Sequence, residues 1–170
     1  MTALPQRIAV TGASGLIGSA LVGHLKSEGH TVQRLVRRLP VSPDEVQWDP
    51  ATGYVDTAAL AGVDAVIHLA GVGVGDKRWT KKYKAQILNS RLLGTEAIAK
   101  AVAEVKPQVF ISASAIGWYG ESGNRAVIES DRAGDDFLAA VCREWEAAAD
   151  IASPIRTVKL RTGLVLDPTG

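Results

Sequence analysis

One cysteine, Cys142, stands among the 170 residues. No disulfide can therefore form within the chain, and a reducing, cytoplasmic setting is expected. Net charge is equally scarce. Nineteen Lys and Arg against eighteen Asp and Glu leave +1, too weak a field to argue for nucleic acid or a membrane surface as partner. The basic run at 76–84, "DKRWTKKYK", is the one stretch with aromatic interleaving, and it reads as a loop entering a helix at the mouth of a site. No apolar run reaches the ~18 residues of a spanning helix. "MTALPQRIAV" lacks the regions of a secretory signal and is not expected to act as one. Three histidines and one cysteine show no metal-ligand spacing, so no metal site is expected.

What the chain does hold is alternation. Short apolar runs at 7–11, 31–36, 45–48, 64–71, 108–114 and 156–161 read as strands. Helical spacing occupies 15–28, 80–105 (ended by Pro107) and 135–150. The run 64–71, "DAVIHLAG", is almost wholly apolar, as strands buried on both faces are. Strands alternating with helices imply right-handed crossovers and a mostly parallel sheet. The expected fold is α/β, a doubly wound sheet flanked by helices, one domain over residues 1–170. Segments 37–44, 71–79 and 115–134 are the irregular places.

Glycine is abundant, with 17 residues, and three of them, Gly12, Gly15 and Gly18, sit between the first strand and the first helix. A dinucleotide-binding sheet keeps its phosphate loop there. The first glycine permits the tight turn, the next lets backbone approach the pyrophosphate, and the last lets helix pack closely on strand. Backbone N–H groups and the positive helix end then face the phosphates, and Ser14 adds a hydroxyl. This predicts a Rossmann-type domain with strand order 3-2-1-4-5-6.

The spacing T-G-x-x-G-x-x-G resembles the short-chain dehydrogenase/reductase superfamily in its atypical and extended, nucleotide-sugar-epimerase-like branch. Within it, "RWT" (78–80), "SR" (90–91), "SASAIGWYG" (112–120), "DFLAAVCREWEAAA" (136–149) and "LRTGLVL" (160–166) are together similar to the NAD-dependent epimerase/dehydratase proteins known as epimerase family proteins, YfcH-like or SulA-like. Members of that group continue into a smaller substrate-side region. The resemblance implies that this chain corresponds to the N-terminal part of a longer protein and lacks that region. It also implies cofactor contacts from Leu16 and Ile17 at the helix start, from Leu69, Ala70 and Gly71 after the fourth strand, and from Ser112 in the fifth.

The choice of coenzyme is read at the end of the second strand. An NAD site places an acid there to accept the ribose hydroxyls. Here no acid occurs from Gly29 to Pro43, and Arg37 and Arg38 stand where a 2′-phosphate would lie. A guanidinium fork suits phosphate in charge and geometry. NADP(H) is therefore expected over NAD(H), with Arg37 the first choice of the pair.

The superfamily's usual engine, Tyr-x-x-x-Lys on the helix after the fifth strand, is missing. Four residues after Tyr54, Tyr83 and Tyr119 stand Ala58, Ile87 and Gly123. Laying the third helix on the family pattern through Glu146 puts Leu138 in the tyrosine slot and Cys142 in the lysine slot. Ser114 takes the usual serine place, and Tyr119 is a second candidate acid. Arg91 fills the asparagine slot on an otherwise apolar face and is expected to aim into the cofactor cleft. His68 reads as a packed core histidine and Cys142 as a buried small hydrophobe. Asp135 and Asp136 read as helix caps. Two functions stay open. One is an NADP(H)-dependent oxidoreductase or epimerase-like enzyme acting on a small molecule the sequence does not specify. The other is a catalytically silent NADP(H)-binding redox sensor or scaffold.

Overall fold

The computed structural model describes residues 4–166. Its elements run β1 (Arg7–Thr11), α1 (Leu16–Ser27), β2 (Thr31–Val36), β3 (Glu45–Asp49), β4 (Tyr54–Val55), β5 (Ala65–His68), α2 (Lys81–Val105), β6 (Val109–Ala115), α3 (Phe137–Ala149) and β7 (Thr157–Thr162), with a 3-10 turn at Ile116–Tyr119. They form one Rossmann-like sheet in the order β4-β3-β2-β1-β5-β6-β7. Six parallel strands follow the expected order. The seventh, β4, is an addition: it pairs antiparallel to β3 at the sheet edge, Trp48 with Val55 and Asp49 with Tyr54. The turn that creates it is local. The Asp49 carboxylate accepts from the Ala51 amide at 2.9 Å and the Thr52 hydroxyl at 3.0 Å, and Gly53 takes φ +75°. A two-residue strand carries no periodicity, so the sequence reading passed over it.

Side-chain alternation splits β1 between two cores. Ile8 and Val10 pack with Val32, Ala65 and Ile67 against Leu21, Val22 and Leu25 of α1. Ala9 faces the other layer, with Leu35, Val66 and Phe110 against Ile98, Ala99 and Val102 of α2 and Ala149 of α3. Phe110 is fully buried there, and burial of such a ring stabilises by roughly 1.5–3 kcal/mol. Caps set the helix ends. The Thr80 hydroxyl accepts from the Tyr83 amide at the start of α2, and Asp136 accepts from the Ala139 amide at 2.8 Å at the start of α3. α2 stops at Lys106, which takes a left-handed φ of 56° before Pro107.

The α2-side layer is not wholly apolar. Thr11, His68 and Ser112 are neighbours in register across β1, β5 and β6, and all three are buried. The Thr11 hydroxyl accepts from the Leu69 and Ala70 amides at 3.1 and 3.3 Å and shares a 2.8 Å hydrogen bond with His68 Nδ1. The Trp48 ring meets the imidazole edge-on at 5.9 Å. His68 is thus a core residue, as expected.

Burial pushes the His68 pKa down from 6.5 to about 4. Between those values the unfolded chain binds a proton that the folded chain refuses. Stability is therefore full above pH 6.5 and declines as pH falls through this window, by about 3 kcal/mol from this group. Chemical denaturation at stepped pH should show that decline, and His68→Gln should flatten it between pH 6.5 and 4. A slope unchanged by the substitution would exclude His68 as its source.

Candidate cofactor site

The glycine turn is built by backbone meeting backbone. Gly12 has φ +66°, and a Cβ there would lie 2.9 Å from the Leu69 carbonyl carbon and 3.0 Å from the Ala70 nitrogen. A Cβ at Gly18 would fall 2.1 Å from the Gly12 oxygen. Between them, Gly15 donates its amide to the Gly12 carbonyl at 3.0 Å and stands at the N-cap of α1, where no side chain caps the helix. Unshared amides at the start of a helix form a receptor for an anion. Ser14 is exposed beside them. Leu16 and Ile17 leave 42% and 40% of their surfaces open, unusual for apolar residues on a helix that borders a core.

Leu69, Ala70 and Gly71 lie against this turn. The Leu69 and Ala70 amides point inward to Thr11, a residue the sequence reading did not single out, although its place directly before Gly12 is the available signal. Beyond Gly71 the chain is clamped to α2, and to Trp79 just before it, residue by residue. Val72 donates its amide to the Ser90 hydroxyl at 3.2 Å, and its carbonyl accepts from Arg91 Nη1 at 2.9 Å. The Gly73 carbonyl accepts from the Tyr83 hydroxyl at 2.6 Å, and that of Val74 from Trp79 Nε1 at 2.7 Å. Along this loop and the β3–β4 turn opens a cleft of about 490 Å³, lined by Pro50, Ala51, Val72, Tyr83, Ser90 and Leu93 among others.

Arg91 is half-buried and meets no carboxylate among the described residues. It spends Nη1 on the carbonyls of Val72 and Ile87, lies 4.9 Å over the Trp145 ring and flanks Gly71. Burial lowers its pKa.

At the other side of the turn, Thr11 pairs with Leu35, so β2 ends at Val36 level with Gly12, and Arg37 and Arg38 follow it. Their surroundings differ. Arg37 is exposed and has no hydrogen-bond partner among the described residues. Arg38 forks onto Glu45, Nη1 to Oε2 and Nη2 to Oε1, both at 2.7 Å. Arg34 forks onto Asp44 at 3.0 and 3.1 Å. The acids missing from 29–43 are thus supplied from the start of β3, already matched by guanidinium. Arg38 and the Val41 amide hold the Glu45 carboxyl at about 2, and Arg34 holds that of Asp44 well below the usual range.

On the β6 side, Ser112 is buried and donates weakly to the Ala113 carbonyl at 3.3 Å. Ser114 and Tyr119 are joined through one ion pair. The Ser114 hydroxyl donates to Glu146 Oε1 at 2.6 Å, Arg161 donates to both Glu146 oxygens at 2.8 and 3.0 Å, and Arg161 Nη1 reaches the Tyr119 hydroxyl at 3.1 Å. The guanidinium lies 3.9 Å over the Trp118 ring. Arg161 and Glu146 are the residues here that sequence reasoning gave no role. Cys142 is buried, its pKa raised by burial. A Cβ at Gly117 would meet Leu138 Cβ at 3.3 Å and Cys142 Sγ at 3.7 Å, so these two side chains, one turn apart, face the 3-10 turn after β6.

A family model described as NAD dependent epimerase/dehydratase family matches residues 8–139. This chain belongs to that family. An epimerase family protein of Mycobacterium leprae is 45% identical over 161 residues, covering 94% of this chain and 52% of that relative. The crystal structure of the nucleoside-diphosphate sugar epimerase from Corynebacterium glutamicum superposes with a TM-score of 0.86 at 40% identity, covering 98% of this chain and 36% of that one. Human epimerase family protein SDR39U1, solved with NADPH, gives 0.83 at 31% identity, covering 96% and 56%. The chain spans about half the length of the curated relatives it matches. No helix among the described residues is long and apolar enough to cross a membrane.

Two glycines of one helix give opposite expectations. Gly18→Ala drives a methyl into the Gly12 carbonyl and should cost about 1–3 kcal/mol or abolish folding. Gly23→Ala meets nothing within 4 Å and should gain about 0.5–1 kcal/mol. Urea unfolding of both variants checks this, and equal effects would refute the close approach.

Proposed function

We propose that this chain is the NADP(H)-binding part of an oxidoreductase or nucleotide-sugar-epimerase-like enzyme of the atypical short-chain dehydrogenase/reductase type. The observation that carries the reading is the uncapped start of α1 at Gly15, with Arg37 and Arg38 leaving β2 beside it. The amides of residues 16–18 and the Ser14 hydroxyl fit a diphosphate, and the two guanidiniums fit a 2′-phosphate. The NADPH in the human relative's structure supports the same choice. The family model and the similar structures support a nicotinamide coenzyme at the coarser level.

Bound there, the coenzyme supplies hydride transfer. The chain's own residues do the rest. Leu69, Ala70 and Gly71 are the backbone that would hold the coenzyme beside the glycine turn. Arg91 holds the loop at Val72 beside Gly71, and Ser112 backs the same floor from β6. Ser114 and Tyr119 are the groups positioned to carry a proton, held in place by Glu146 and Arg161. The substrate is a small molecule with a carbonyl or alcohol.

A second reading is a catalytically silent sensor or scaffold. It is favoured by the Ser114 hydroxyl, which is already committed to Glu146, and by Leu138 and Cys142, which stand apolar where the resembled helix carries phenol and ammonium. In the protein at the full length of its relatives, NADPH fluorescence titration followed by turnover against a panel of carbonyl substrates separates the two. The enzyme reading expects turnover that drops about 10²-fold or more in Ser114→Ala or Tyr119→Phe. Tight binding with no turnover of any substrate supports the sensor. Arg37→Glu should weaken NADPH far more than NADH, and equal loss of both would refute the 2′-phosphate assignment.

A further inference from the structure

Glu45 raises a question that coenzyme binding alone does not answer. A carboxylate at the end of a sheet expected to receive a phosphate is unfavourable, yet this one is kept, and its side chain is 2% exposed. Everything around it is arranged to hold it. Arg38 grips it with two N–H groups, Arg34 approaches at 3.3 Å, and the Val41 amide donates to Oε2 at 2.9 Å. Arg38 also donates to the Leu39 carbonyl at 3.0 Å. The segment 38–41 is therefore folded around one carboxylate. Its fork uses Nη1 and Nη2 of Arg38, leaves Nε–H without a partner, and leaves the arginine side chain 55% exposed. With its Nη1/Nη2 tip gripped, the guanidinium keeps Nε–H and one Nη2–H along its side for an anion, and it loses less freedom when the anion arrives.

We infer that Glu45 is a positioning residue for coenzyme choice: it fixes Arg38, and so sets the preference for a phosphorylated over an unphosphorylated ribose without touching the coenzyme itself. The inference rests on the NADP(H) reading above. NADH lacks the phosphate that engages the guanidinium, so the effect of Glu45 falls on NADPH.

The test is the ratio of NADH to NADPH dissociation constants, measured by calorimetry on this chain. A general loss of stability would weaken both coenzymes and leave the ratio in place. Glu45→Gln should lower the ratio about fivefold or more, with NADH affinity held. Glu45→Asp keeps the charge but withdraws it by one methylene, and it should lower the ratio too, even if the neutral variant fails to fold. In an Arg38→Gln background, Glu45→Gln should lower it no further. If Arg38→Gln lowers the ratio while both Glu45 variants leave it unchanged or raise it, the role of Glu45 is overturned and the coenzyme reading stands. If Glu45→Gln acts equally with and without Arg38, the inference is likewise overturned. A ratio near one in the unaltered chain overturns both.

Discussion

The constraint on which the rest depends is the contact between the exits of β1 and β5. At Gly12 the two backbones approach so closely that no side chain fits between them. One hydroxyl, Thr11 Oγ1, ties the Leu69 and Ala70 amides to the strand that precedes the turn. That contact aims the start of α1 outward, because Gly18 can pack on Gly12 only with the turn so closed. It also turns the two amides directly after β5 inward, leaving the other face of that backbone to whatever lies over the sheet. An orphan-prone junction of two strand ends thus becomes the floor of a site.

Charge is handled by the same economy. Three acids near the site are paired before any ligand arrives: Asp44 with Arg34, Glu45 with Arg38, Glu146 with Arg161. The buried Glu146–Arg161 pair joins α3 to β7 and draws in Ser114 and Tyr119. Breaking one partner of such a pair leaves an uncompensated buried charge, which costs more than the intact pair contributes. Arg37 and Arg91 are the contrasting cases, cations near the cleft that meet no carboxylate among the described residues.

The parts legible in the sequence are those that repeat or punctuate. The apolar runs of β1, β5 and β6 marked the sheet, and Gly12, Gly15 and Gly18 between a strand and a helix marked the turn. Asp136 read correctly as a cap because capping is local. What was hidden depends on residues distant in the chain. Nothing near Arg38 announces Glu45, which arrives from the next strand. Ser114 gives no sign that a carboxylate 32 positions later accepts its hydrogen bond. β4 was hidden for the opposite reason: two residues and an aspartate turn leave too short a signal for any period.

The cradle between α1 and the clamped loop draws on segments near residues 12, 37 and 70, brought together by the pairing of β1 with β2 and β5. No single stretch of chain carries it, and a partly collapsed ensemble has no version of it. Occupancy is therefore linked to the native state alone: a dinucleotide adds stability that grows as the logarithm of one plus its concentration over its dissociation constant, and the unfolded pool shrinks accordingly. In a cell where the coenzyme is abundant, the thermodynamic reserve of this domain is set partly by metabolism, and a weakened variant would persist longest where its ligand is most plentiful.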